Sequence, residues 1–397
     1  MEYTHLDPDA IAVESWARGA KATELLQAVA GSTAVDAGTI ANLRRSWSAD
    51  VITAAIDITR ARSSAQDRLD DADTLIADHA GAQQATPAVL AAWKAMHIAA
   101  SCPDRTVFDA GCGIGSDSRA FARLMTVRAI DTSAARCWMT EQYAAITATQ
   151  ATLSDLDQVR GDVLHMDPAR RDENGKRLHN PATWSPNIDL AREAWDTHLD
   201  ACLMLGPGID LDLFELPEHV QLAFCSRNGS LVDAAAWSGA VATFDGPRTA
   251  VQLHTGSLRS GAPNRPQGGP APKVGQFLHT PDPAIERAAL LYLEATTHSL
   301  WEPAPGLGLL VGDTPAPSTW LQPWRIDAVL PPRRKAIARW LNANDGGSVT
   351  IRTRGGAVSD VDRLARALSG PGGTPMTVFI LRLRRKISAF VVQNVLP

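Results

Sequence analysis

The stretch Asp109-Ala110-Gly111-Cys112-Gly113-Ile114-Gly115 holds the residues best suited to chemistry. It follows a short apolar run at 106–109 and precedes a helical pattern at 118–124. Glycines there let the backbone turn sharply and approach a ligand without a Cβ in the way. The helix behind them offers free N–H groups and a positive dipole end. A dinucleotide site prefers Gly-x-Gly-x-x-Gly and holds a pyrophosphate. Here the spacing is Gly-x-Gly-x-Gly, with Ser116 next, and Asp109 stands two residues before the first glycine. A carboxylate in that place repels pyrophosphate and suits an ammonium group. Asp131 ends the next apolar run, at 127–131, where a carboxylate can grip both hydroxyls of a ribose. The turn reads as a seat for a nucleoside that carries a cation.

A second acid, in Asp167-Pro168-Ala169-Arg170-Arg171, closes the apolar run 162–167. Ligands of open α/β sheets lie beyond the carboxyl ends of the strands, so Asp167 belongs beside the same seat. Arg170 and Arg171 have three readings: contact with phosphate, stacking on a base, or plain solvent exposure. Trp184 either stacks on a ligand or packs in the interior.

The elements that must position these residues follow from periodicity. Residues 1–100 read as helical, with Leu25, Leu26 and Val29, then Ile40 and Leu43, then Ile52, Ile56 and Ile58 near helical spacing. Val89, Leu90, Trp93 and Met96 mark a further helix, with Thr86 as N-cap and Pro87 in its first turn. From 104 onward short strands alternate with helices: strands at 106–109, 127–131, 147–153, 162–167, 201–205, 220–225 and 249–254, helices at 118–124 and 132–146. That alternation predicts an α/β fold, a parallel sheet covered on both faces. Residues 256–275, rich in Gly and Pro, read as a linker. A smaller α+β region follows, with helices at 285–294, 334–341 and 360–368 and strands at 349–352, 377–383 and 387–392. The expected division is a helical region 1–100, a catalytic domain 101–255, the linker 256–275 and a C-terminal domain 276–397.

Composition narrows the class. Among 397 residues, 45% are hydrophobic and 20% charged, which fits a folded soluble chain. Five scattered cysteines form no CxxC pair, so neither a zinc ribbon nor a disulfide framework is expected, and no metal. Without a secretory signal or an apolar run long enough for a bilayer, a cytoplasmic setting is expected. Charge is uneven. Residues 271–397 hold 15 Lys and Arg against 9 Asp and Glu, so +6 faces -11 in the first 270 residues. A basic patch of this kind fits a nucleic-acid partner or an ordinary solvated surface.

The glycine turn with Asp131 resembles motifs I and II of class I S-adenosylmethionine-dependent methyltransferases. Asp167-Pro168 resembles the Asp/Asn-Pro-Pro-aromatic motif of enzymes that methylate exocyclic amino groups of purines, with Ala169 in place of the second proline and Arg170 in place of the aromatic. Most of the chain is similar to one bacterial family, class I methyltransferases with a THUMP-like C-terminal domain. Ala82-Gln83-Gln84-Ala85-Thr86-Pro87 resembles that family's lead-in, itself similar to trimethylguanosine synthase. Ser226-Arg227-Asn228-Gly229 and Trp237-Ser238-Gly239 resemble a later block. Pro281-Asp282-Pro283-Ala284-Ile285 and Ile351-Arg352-Thr353-Arg354-Gly355 resemble the THUMP-like part. The resemblance implies S-adenosyl-L-methionine as donor, held by Asp109, Gly111, Gly113, Gly115 and Asp131, with Asp155 toward the adenine and Asp157 as its alternative. It implies Asp167, Pro168 and Arg170 at the acceptor, and an RNA substrate, tRNA or rRNA, since THUMP domains elsewhere bind tRNA. A non-catalytic RNA-binding scaffold that keeps the donor site, and a small-molecule methyltransferase, are the alternatives.

Overall fold

In a computed structural model the described residues are 20–30, 36–169, 183–211, 216–266 and 275–395. They divide into two compact units, Met1–Gln221 with Ala234–Thr243, and Leu222–Asp233 with Phe244–Pro397.

The first unit opens with helices α1 (Ala20–Ala30), α2 (Ala37–Leu43), α3 (Ala49–Ala65), α4 (His79–Gln84) and α5 (Ala88–Ser101). Leu25, Leu26 and Val29 of α1 pack on Ala55 and Ile58 of α3. The fold then alternates: β1 (Val107–Ala110), α6 (Ser116–Ala122), β2 (Val127–Asp131), α7 (Ala134–Ala144), β3 (Ala148–Gln150), β4 (Val163–Met166), α8 (Ile188–Asp196) and β5 (Ala201–Met204). β1, β4 and β5 are buried at every position, as continuous apolar strands are when both sheet faces are covered. β1 to β5 run parallel in the order β3-β2-β1-β4-β5. The carboxyl ends of β1, β2 and β4 therefore open on one edge, which bears the glycine turn, Asp131 and Asp167.

The second unit contributes β6 (Gln221–Arg227). The chain turns at Asn228 and Gly229 into β7 (Ser230–Ser238), whose later half belongs to the first unit and pairs antiparallel with β5, Ala201 opposite Ser238. Sequence periodicity gave no signal for β7. Its run Ala234-Ala235-Ala236-Trp237 is buried throughout and lacks the alternation that marks a half-exposed strand. β8 (Arg248–Gln252) lies parallel to β6 and pairs antiparallel with β9 (Ser257–Gly261).

β9 falls inside the stretch that composition marks as linker. Gly261 is there for contact: a Cβ on Gly246 would lie 2.7 Å from the Gly261 Cα, so two bare backbones touch. Residues 267–274 lie outside the described ones.

A six-stranded sheet follows, in the order β11-β10-β12-β15-β14-β13, formed by β10 (Phe277–Pro281), β11 (Leu310–Gly312), β12 (Leu321–Leu330), β13 (Gly346–Arg354), β14 (Thr374–Leu383) and β15 (Lys386–Asn394). The helix expected at 285–294 is two, α9 (Pro283–Arg287) and α10 (Leu291–Thr297). The break is a Schellman-type turn, in which Leu290 N–H reaches back to Ile285 O (3.0 Å) and Ala289 takes a φ of +58°. Alanine fills a place where glycine would have signalled a stop. α11 (Arg334–Ala343) and α12 (Val361–Leu368) bury Ile337, Leu341 and Leu368 against Val349, Ile351, Val378 and Val391.

Candidate active site

Gly111 and Gly115 have a steric reason, and Gly113 a backbone one, its φ of +59°. Gly111 and Gly115 both have a φ of +87°. A Cβ on Gly111 would sit 3.1 Å from the Asp167 carbonyl, and one on Gly115 would sit 3.0 Å from the Thr140 Cα. At Gly113 a Cβ would meet nothing within 4 Å, so this part of the turn faces open space. α7 fastens the turn, with Thr140 Oγ1 donating to Gly113 O at 3.0 Å.

Asp131 closes β2. Its Oδ2 accepts from Gly113 N–H (3.0 Å) and its Oδ1 from Ser133 N–H (2.9 Å). Burial raises its pKa above the ordinary carboxylate value, outweighing both N–H donors and nearby Arg136. Asp167 follows β4 directly and is half-buried, its N–H reaching Ala110 O at 3.4 Å. Pro168 is buried and Ala169 exposed. Glycine turn, Asp131 and Asp167 thus meet at one edge.

Other expected residues stand elsewhere. Arg170 and Arg171 lie outside the described residues. Trp184 is buried, which favours its packing reading. Asp155 is exposed, and its Oδ1 caps the turn 156–159 through Asp157 N–H (2.7 Å). Asp157 pairs with Arg160 at 2.6 Å. Thr86 does not cap α5, since Pro87 stands at the cap; its hydroxyl donates instead to Asp117 Oδ2 at 2.6 Å. A hydrogen bond with the Cys137 thiol, then burial, push the Cys112 thiol pKa up.

Asp109 does not face the open side of the turn. It is 1% exposed, and its carboxylate is committed beneath the turn. Oδ1 lies 2.8 Å from His165 Nδ1, and Oδ2 accepts from the Ser118 hydroxyl. His165 Nε2 lies 3.0 Å from Lys94 Nζ, which reaches Asp117 Oδ1 at 2.6 Å. Burial opposes the charge on Asp117, but Lys94 and then His165 prevail and hold its pKa below the ordinary value. This chain of buried polar groups ties α5, α6, β1 and β4 together.

The sequence reading missed Lys94, Asp117, Ser118 and His165. A signal was present. Lys94 sits within the apolar helical stripe Leu90, Ala91, Ala95, Ile98, and His165 interrupts the apolar run of β4. A polar group in such a run must find a partner, or its burial costs several kcal/mol.

Comparison with known proteins gives the chemistry. Two proteins of Mycobacterium tuberculosis, from strains CDC 1551 / Oshkosh and ATCC 25618 / H37Rv, are each 30% identical over 313 residues, covering 76% of this chain and 83% of theirs. Each is named an uncharacterized S-adenosylmethionine-dependent methyltransferase. The chain belongs to the S-adenosylmethionine-dependent methyltransferases. The enzyme's fold also matches the crystal structure of a candidate methyltransferase from Porphyromonas gingivalis W83, with a TM-score of 0.70 at 15% identity over 98% of this chain and 99% of that one. The THUMP domain-like family matches residues 321–394, from the start of β12 to the end of β15. Among the described residues no cluster of His, Cys, Asp or Glu could hold a metal ion, and no helix is long and apolar enough to cross a membrane.

Proposed function

We propose that this methyltransferase modifies an exocyclic amino group of a purine in RNA. S-adenosylmethionine fits the edge where β1, β2 and β4 end. Gly111, Gly113 and Gly115 give its amino-acid end close backbone approach, and Asp131 accepts from the ribose hydroxyls. Asp109 acts from beneath the turn by its charge. Asp155 is the candidate for the adenine, with its Oδ2 outside the capping bond that Oδ1 accepts.

The acceptor reading rests on one observation: the Asp167 carbonyl packs 3.1 Å from where a Gly111 Cβ would be. This holds the acid after β4 against the donor's turn. Asp167 accepts a hydrogen bond from the target amino group, Pro168 stiffens the backbone behind it, and Arg170 engages the base or a phosphate. The nitrogen lone pair then forms the new N–CH3 bond. The S–CH3 pair returns to sulfur, and the surplus proton leaves the nitrogen for solvent. The donor is already activated, so positioning supplies most of the rate.

RNA is favoured by the THUMP-like match and by exposed cations in the second unit. Arg333, Arg334, Lys335 and Arg339 are exposed on and before α11, and Arg384, Arg385 and Lys386 at the β14–β15 tip. Arg352 and Arg354, by contrast, serve the fold. Arg352 lies over the Trp324 ring, and Arg354 forms two 2.9 Å bonds to Glu286. The division into a helical region 1–100, a catalytic domain 101–255, a linker 256–275 and a C-terminal domain 276–397 is carried as part of this reading. Transfer of labelled methyl to RNA fractions, followed by nucleoside digestion, tests it. Asp167→Ala should lower transfer about a hundredfold with donor affinity retained. Label on a pyrimidine, on a ribose or on no RNA would refute the reading.

A further inference from the structure

Two thiols meet behind the glycine turn. Cys112 stands between Gly111 and Gly113, and Cys137 lies on α7. Cys112 is 7% exposed and Cys137 5%, and a hydrogen bond joins them. Ala129 and Ala148 pack around the pair. The same contacts fasten the turn. Thr140, one helical turn after Cys137, donates to Gly113 O at 3.0 Å and lies 3.4 Å from Cys112 Sγ. Cys137 Sγ lies 3.7 Å from Asp131 O, and Asp131 Oδ2 accepts from Gly113 N–H.

The pair is asymmetric. Its shared hydrogen bond lowers the Cys137 thiol below the ordinary value and outweighs burial there. The same bond, then burial, raise the Cys112 thiol. Cys137 is therefore the thiol that ionises, and Cys112 keeps its proton beside it. An attacking thiolate with a second thiol in contact is the arrangement that ends in a disulfide. Gly113, next to Cys112, has open space on its outer side, so small solutes reach the turn.

We propose that Cys112 and Cys137 are an oxidation site, where hydrogen peroxide closes a disulfide that disables the donor turn. The effect on the donor rests on the donor reading of the crevice given above; the cross-link does not. The Cys137 thiolate attacks one peroxide oxygen and the O–O bond breaks. The departing hydroxide takes up a proton and leaves as water, and Cys137 becomes a sulfenic acid. The Cys112 sulfur then attacks the Cys137 sulfur. The S–O bond breaks, and the oxygen leaves with the Cys112 proton as a second water. The peroxide gains two electrons and the two thiols lose them. A disulfide holds its sulfurs about 2 Å apart, well inside the contact distance of two thiols. Closing it draws Cys112 toward Cys137 and ends its contact with Thr140. The turn cannot follow freely, because Gly115 already lies against Thr140. A shift of about an ångström is enough to cost a ligand site much of its binding.

The test treats the full chain with hydrogen peroxide and then with dithiothreitol. Peptide mapping by mass spectrometry and calorimetry with S-adenosylmethionine follow each step. Peroxide should join the Cys112 and Cys137 peptides with loss of two hydrogens, and should lower donor affinity about tenfold or more. Dithiothreitol should reverse both changes. Cys137→Ala should bind the donor as the reduced parent does and keep that affinity in peroxide; Cys137→Ser takes its place if the alanine variant does not fold. Peroxide that leaves both thiols free, or carries Cys137 past the sulfenic acid without a cross-link, overturns the proposal. So does a cross-linked chain that binds the donor as tightly as the reduced one, or a Cys137→Ala variant that loses affinity in peroxide as the parent does. Failure of the reduced parent to bind the donor overturns the donor reading instead, and the peptide map still decides the cross-link.

Discussion

The two units handle charge in opposite ways. The first takes a lysine, a histidine and two aspartates into its interior and links them in one chain of contacts. The second also buries acids, and Asp282 and Glu302 take their hydrogen bonds from neutral donors. Asp282 accepts from Ser226 Oγ (2.9 Å), Gln252 Nε2 (3.0 Å) and Ala284 N–H (2.8 Å), and Glu302 accepts from Gly306 and Gly308 N–H. Arg259 reaches one buried acid, Glu294, at 3.1 Å, but many of the second unit's cations are exposed, three of them at the N-terminal end of α11, where the helix dipole opposes positive charge by a few tenths of a kcal/mol. A buried chain of this kind fixes the packing beneath the turn. Exposed cations placed against local stability suit a long polyanion.

The sharpest way to break this comparison is to remove one member of each buried set. Lys94→Met leaves Asp117 and His165 without their cation and should cost the first unit about 3–5 kcal/mol in denaturant unfolding. Asp282→Asn keeps its volume and loses bonds to neutral donors, and should cost about 1–3 kcal/mol. Equal costs would mean that charged and neutral partners hold these acids alike.

This contrast also explains what the sequence made legible. The glycine turn, Asp131 and Asp167 were readable because each stands at a strand end, and strand ends are where period and turn residues change. The parallel core was readable from its apolar runs. Lys94, His165 and Asp117 were not, because their meaning lies in contacts across 71 positions for Lys94 with His165. Asp109 was found but aimed the wrong way: periodicity locates a carboxylate on a strand and leaves open which partner turns it inward. β7 and β9 were hidden for the opposite reason, an all-buried strand without alternation and a strand rich in the residues of turns.

A middle-sized effect is expected outside. Arg334→Glu, Lys335→Glu and Arg339→Glu combined should weaken binding to RNA at low salt about tenfold or more, and should flatten its dependence on salt. Donor affinity should not move. A triple variant that binds RNA as the parent does would shift the nucleic-acid face to the Arg384–Lys386 tip or away from this unit.

The smallest effect is a matter of sign. Burial raises the pKa of Asp131 above its ordinary 3.8, so the folded state favours its protonated form. Its charge therefore costs stability near neutral pH, and the cost fades as pH falls through the raised value. Donor binding runs the other way, because only the ionised carboxylate accepts from two ribose hydroxyls. Affinity for S-adenosylmethionine should be level near neutral pH and fall severalfold on acidification, beginning above the ordinary carboxylate range. Asp117, with its lowered pKa, adds stability that is complete above 3.8 and is lost below it, so it leaves this window untouched. Asp131→Asn should flatten the binding profile and leave in place the part of the acid limb of unfolding that Asp117 contributes. A donor affinity that stays level until the whole unit unfolds would remove Asp131 from the ribose.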